Sequence, residues 1–163
     1  MNRDKKQVHD FWDQASCGED LLLDGTNAAG YEAQAKARYE LEGKMIFPLA
    51  RFEEAKGLKV LEVGVGLGAD HQRFAESGAE LYGIDLTERA VEHTRRRLES
   101  FNLASNLSVG DAEKLDFPDE SFDLVYSWGV VMCSPDTPQA VSEIFRVLKK
   151  GGSARIMIYN KWE

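Results

Sequence analysis

From Leu58 onward, short apolar runs alternate with longer stretches in which apolar residues recur every three or four positions. The runs are KVLEV (59–63), ELYGID (80–85), NLSVG (106–110), FDLVYSW (122–128) and SARIMIY (153–159). Their length and turn-rich borders predict strands. Between them, 69–77 predicts a helix closed by Gly78, and 86–100 a second with Ala90, Val91, Thr94 and Leu98 on one face. A third helix is expected to begin at a Thr137 cap with Pro138 in its first turn and to stop at Gly151. Its core face would be Ala140, Val141, Ile144, Phe145 and Leu148. Strands alternating with amphipathic helices predict a doubly wound, Rossmann-like α/β domain. Its mostly parallel sheet, of order 3-2-1-4-5, would lie between two helical layers.

Upstream the pattern is weaker. The first 28 or so residues read as an irregular leader with one short helix near His9 to Gln14. Residues 30–56 are helix-rich, and Gly43 and Pro48 predict two helices separated by a bend, because proline disfavours helical geometry at Phe47. The expected division is a helical leader or lid over 1–56 and a ligand-binding core over 57–163, one compact unit overall. Tyr31, Arg38 and Tyr39 fall near one helix face, as either a lid or a packed amphipathic helix requires.

Composition narrows the classes. The 163 residues have the length of one domain. No apolar run approaches the roughly 18 residues of a membrane span, and MNRDKKQVHD lacks the apolar stretch of a secretory signal, so the cytoplasm is the expected compartment. The net charge is -8, and basic residues are scattered except at 95–97 and 149–150. Arg95, Arg96 and Arg97 fan around their helix as a solvated surface would, and nucleic acid is not an expected partner. Cys17 and Cys133 are expected to be free thiols, since two cysteines make neither a disulfide framework nor a four-ligand zinc site. His9, His71 and His93 are dispersed, no metal is expected, and His71 is placed facing solvent or the glycine turn.

The chemistry concentrates in VLEVGVGLGAD, residues 60–70. A strand ending in Glu62-Val63 runs through Gly64, Val65, Gly66, Leu67 and Gly68 into a helix, a turn that needs positive backbone angles and close ligand approach. Asp85 ends the next strand about twenty residues on, where a carboxylate can accept hydrogen bonds from ribose hydroxyls. Gly64-x-Gly66-x-x-Ala69 also satisfies the dinucleotide fingerprint, so an NAD(P)-binding oxidoreductase fragment is the competing reading. Three features favour a cationic adenosyl cofactor instead. Glu62 suits a cation better than a pyrophosphate, Asp111-Ala112 sets a second acid near the adenine position, and five strands leave little room for a dehydrogenase substrate domain.

In VLEVGVGLG, GIDLT, VGDAEKLDFPDESFDLVYSWG and EIFRVLKKGG, in that order and spacing, the chain resembles the class I S-adenosylmethionine-dependent methyltransferases. It looks closest to the small-molecule branch that includes the ubiquinone and menaquinone biosynthesis methylases, over about Val60 to Tyr159. The resemblance implies methyl transfer from S-adenosylmethionine to a small-molecule acceptor, leaving S-adenosylhomocysteine. A module that binds the donor without catalysis is the alternative. By this likeness Glu62, Gly64, Val65 and Gly66 line the donor's methionine and ribose side. Asp85 binds the ribose hydroxyls, Leu86 packs on the adenine, and Asp111 and the Ala112 amide bond its ring edge. Ser127 and Trp128 sit near the transferred methyl. Relatives often carry two histidines where this chain has Met132 and Cys133, so no catalytic base can be named. Relatives also add a helix and an antiparallel hairpin after the fifth strand. Here the chain ends at Lys161-Trp162-Glu163, which leaves an open edge, and a homodimer formed through that edge or through the leader is expected.

Overall fold

A computed structural model describes residues 3–159. The strands are β1 (Lys59–Val63), β2 (Glu80–Asp85), β3 (Asn106–Val109), β4 (Phe122–Trp128) and β5 (Leu148–Met157). All neighbours pair in parallel, in the order β3-β2-β1-β4-β5. The expected doubly wound sheet is thus observed. Parallel strands need crossover connections, and the helices α4 (Ala69–Glu76), α5 (Glu88–Ser100) and α6 (Thr137–Val147) supply them. One core cluster joins Leu61, Val63, Phe122 and Val125 to Ala140, Ile144 and Val147 of α6. The other joins Val60, Leu81, Leu124 and Tyr126 to Phe74 of α4 and to Ile46 and Ala50 upstream. Adjacent residues such as Val60 and Leu61 of β1, and Leu124 and Val125 of β4, thereby serve opposite faces of the sheet.

The upstream region is more regular than its sequence suggests. It forms α1 (Arg3–Gln14), the single turn α2 (Glu19–Leu22) and one continuous helix α3 (Ala28–Ala50), which contains both Gly43 and Pro48. The expected bend is absent for two physical reasons. Pro48 lies in the last turn, where only one backbone bond is forfeited, and Ile46 and Ala50 beside it are fully buried. Gly43 makes room: a Cβ there would approach the Phe47 ring to 3.0 Å, and that ring packs 5.0 Å from Tyr39. Arg51, with φ 43°, then ends the helix.

Other boundaries also moved. Asp136, not Thr137, caps α6, its carboxylate accepting from Gln139 N at 3.0 Å. Gly151, with φ 81°, lies in an irregularity of β5 instead of stopping the helix, so that strand begins at Leu148. Phe145 is 65% exposed, and Val147 takes the core position expected of it. The ending at 161–163 lies outside the described residues.

Candidate functional site

The carboxyl ends of β1, β2 and β4 open into a cleft of about 300 Å³. Its floor is the turn after β1. Gly64 N–H and Val65 N–H both donate to Ile84 O, at 2.8 and 3.2 Å, and Gly68 N–H to Val65 O at 2.8 Å. Gly64 has φ 86°, and a Cβ there would fall 2.2 Å from Val130. Gly66, with φ 51°, has no atom within 4 Å of a built Cβ. The first glycine is demanded by the protein's own packing. The second leaves open space on the cleft side, where a ligand could approach the backbone closely.

Helix α5 fixes that turn from behind. Thr94 Oγ1 donates to Gly66 O at 3.1 Å, and Arg97 Nη1 to Leu67 O at 2.6 Å. Arg97 is wholly buried, also bonds Tyr31 O, and lies 5.0 Å over the Tyr31 ring. Burial brings its pKa down to about 10. The solvated surface expected of residues 95–97 therefore holds for Arg95 and Arg96, which pair with the exposed Glu92, and fails for Arg97.

The carboxylates divide the cleft's polar work. Asp85 Oδ2 accepts from Gly66 N–H and Oδ1 from the Thr87 amide and hydroxyl, all at 3.1 Å. Burial raises its pKa while those bonds pull against the rise. Asp70, in the first turn of α4, accepts from Arg38 Nη2 at 2.8 Å, Tyr39 OH at 3.0 Å and Tyr126 OH at 2.8 Å. Glu62 lines the cleft, but its Oε2 lies 2.9 Å from His71 Nδ1. The placing of His71 toward solvent is overturned, since the ring is wholly buried. Gly83 could have signalled this: a glycine within a strand marks close approach, and a Cβ there would lie 2.6 Å from His71 Cε1.

Val65, Leu86, Asp111, Ala112 and Trp128 also line the cleft. Asp111 is engaged by Lys5 of α1, whose Nζ lies 2.5 Å from Oδ2 and also reaches Glu113. Trp128 is buried, and its Nε1 has no hydrogen-bond partner. Ser127 does not reach the cleft. It is fully buried and donates to Val63 O at 3.0 Å, tying β4 to β1 beneath the floor, because adjacent strand residues point to opposite faces. Met132 and Cys133 line the cleft, with Met132 Sδ 3.1 Å from the Tyr159 amide. Burial raises the Cys133 thiol, which leaves it protonated and a poor nucleophile. Of the helix-face trio, Arg38 lines the cleft and Tyr31 packs against Arg97. Lys5, Val8 and Trp12 complete the wall from α1. They are residues the sequence reading left unassigned, although their spacing of three and four positions marks one helix face.

Residues 61–156 match the family described as "Methyltransferase domain". The chain belongs to that family. The methyltransferase domain is 38% identical over 105 residues to the phosphatidylethanolamine N-methyltransferase of Cereibacter sphaeroides, covering 63% of this chain and 51% of that enzyme. Among solved structures it is similar to the YcgJ protein of Bacillus subtilis, with 28% identity and a TM-score of 0.64 over 69% of this chain and 49% of that one. It is also similar to an S-adenosylmethionine-dependent methyltransferase from Mesorhizobium loti, with 27% identity and a TM-score of 0.58, covering 67% and 51%. The chain thus spans about half the length of these relatives. No helix among the described residues is long and apolar enough to cross a membrane.

Proposed function

We propose that this methyltransferase domain binds S-adenosylmethionine in the cleft and transfers its methyl group to a small-molecule acceptor by direct displacement. The observation that carries the reading is the open space over Gly66 beside the Asp85 carboxylate. The donor set fits the group. Glu62, Asp70, Asp85 and Asp111 suit a ligand bearing ammonium and sulfonium charge, and the unpartnered Trp128 Nε1 lies in the same wall. Bound there, the sulfonium supplies a methyl group already activated for transfer.

The chain's own residues then bind, orient and exclude water. The Gly64–Gly66 backbone gives close approach, Asp85 receives the ribose hydroxyls, Leu86 and Ala112 flank the adenine, and Trp128 borders the acceptor side. Arg38, held between Asp70 and Glu42, offers a guanidinium to a carboxylate. Orientation alone lowers such a barrier by about 7–11 kcal/mol. Helix α1 acts as a lid, a reading supported by Lys5 on Asp111 and by Trp12 in the cleft wall. Calorimetry with S-adenosylhomocysteine against NADH tests the reading. Binding of the first alone is expected, and binding of NADH alone would overturn it.

The reading extends to the cytoplasm as compartment and to small molecules in place of nucleic acid, supported by the net charge of -8. It also includes a homodimer, formed through the β5 edge or through the N-terminal leader. A clean monomer in light scattering at high concentration would count against the dimer.

A further inference from the structure

Glu62 is the cleft end of a hydrogen-bond chain that leads away from the cleft. His71 Nδ1 lies 2.9 Å from Glu62 Oε2, His71 Nε2 lies 2.8 Å from Ser105 Oγ, and Ser105 Oγ lies 2.9 Å from Leu81 O. His71 has no exposed surface. Ser105 is half-buried and lines a separate surface hollow, walled by Arg95, Leu98 and Glu99 of α5 and by β3. The chain therefore joins the cleft to a second opening.

Hydrogen-bond accounting assigns its protons. A carbonyl cannot donate, so the one hydroxyl proton of Ser105 goes to Leu81 O, and Ser105 can only accept from His71. Nε2 therefore carries a proton. Burial holds the His71 pKa down at about 3, so the ring is neutral and Nδ1 presents a lone pair. A carboxyl oxygen at hydrogen-bond distance from a lone pair must bring the proton itself, which makes Glu62 a neutral acid. Its surroundings agree. Burial raises the Glu62 pKa well above its ordinary value, Asp70 of α4 and Asp85 of β2 raise it further, and Arg38 of α3 opposes them. From β4, Tyr126 faces the same carboxyl. The other oxygen, Oε1, makes no hydrogen bond among the described residues.

We propose that Glu62, His71 and Ser105 form a proton exit path, along which a cationic ligand entering the cleft drives one proton out through Ser105 into the second hollow. The inference rests on the donor reading above, since the donor's ammonium is the cation required. A cation beside Glu62 favours the carboxylate. The Glu62 O–H bond breaks as Nδ1–H forms, and Nε2–H breaks as a new Oγ–H forms on Ser105. The former Oγ proton passes to water in the hollow. In the final state Nδ1–H donates to the carboxylate and Ser105 donates to Nε2. The ring has exchanged tautomers without acquiring charge, and the site has taken in one cation for one proton. His71 is thus a positioning residue that acts through Glu62.

The test uses the full chain with ¹⁵N-labelled histidine, titrated at neutral pH with S-adenosylhomocysteine, which keeps the ammonium and lacks the sulfonium. The His71 resonances should report a neutral ring protonated at Nε2 when free and at Nδ1 when saturated. Calorimetry in buffers of different ionisation heat should find about one proton released per ligand. In Glu62→Gln the amide can still donate to Nδ1. That variant should bind about tenfold more weakly and release no proton. An imidazolium in the free protein, an unchanged tautomer at saturation, or undiminished proton release from Glu62→Gln would each overturn the path. Complete failure of the ligand to bind would sink the donor reading and the path together, whereas binding with an unchanged ring sinks the path alone.

Discussion

Glu62 and His71 show how two ordinary side chains acquire a shared proton when both are buried. Folded, the pair holds one proton, on Glu62 beside a neutral ring. Unfolded, the groups titrate near their ordinary values of 4.5 and 6.5. Between those values the unfolded pair also holds one proton, now on the histidine, so it adds no slope to stability. Below 4.5 the unfolded pair holds two protons and acid destabilises; above 6.5 it holds none and base destabilises. Each flank should fall by about 1.4 kcal/mol per pH unit until the folded pair itself titrates. Urea midpoints across pH should trace that plateau. In Glu62→Gln the alkaline flank should vanish and the acid decline should begin nearer 6.5. Asp70 is a second residue whose weight comes from its partners. Asp70→Ala would strand the Tyr39 and Tyr126 hydroxyls and weaken the hold on Arg38, for a loss of about 3 kcal/mol in urea unfolding. Neither pairing was legible in the sequence, where His71 and Asp70 are adjacent polar residues on a short helix.

At the scale of elements, the glycine turn separates two kinds of requirement. Gly64→Ala would drive a Cβ into Val130 and should unfold the domain at lower denaturant. Gly66→Ala meets nothing within 4 Å, so about 1 kcal/mol of backbone strain should be its main cost to stability. Its larger effect should appear in calorimetry as weakened S-adenosylhomocysteine binding. Unimpaired binding would mean that the open space is not the ligand's. Helix α6 offers a finer case. Asp136→Ala should cost about 1 kcal/mol by removing the cap on Gln139 N, and Thr137→Ala should cost less. The sequence located this helix end to within a residue, because capping residues cluster there. It misplaced the ends of α3 because local propensity at Gly43 and Pro48 was outweighed by burial of Ile46 and Ala50.

For the whole molecule, the decisive feature is α1 lining a cleft built by strands more than forty residues away. Lys5 bridges to Asp111 and Glu113, and Glu19 of α2 bonds Arg89 and His93 of α5. Hydrogen bonding from Arg89 holds the Glu19 pKa down at about 2. If α1 is a lid, Lys5→Ala should speed S-adenosylhomocysteine association several-fold in stopped-flow tryptophan fluorescence. An unchanged rate would count against it.

The sequence by itself determined the alternation of strand and helix, the strand order, the glycine turn and most carboxylates of the cleft. These are written in periods of two and of three to four residues, or in short contiguous motifs, and so survive without knowledge of distant partners. Only the tertiary structure decided that Arg97 is buried under the turn, that Ser127 points away from the cleft, that α1 lines it, and that His71 meets Glu62 and Ser105. Each of these depends on contacts between residues far apart in the chain or on opposite faces of one strand. Burial and proton placement follow from such contacts and from no local pattern.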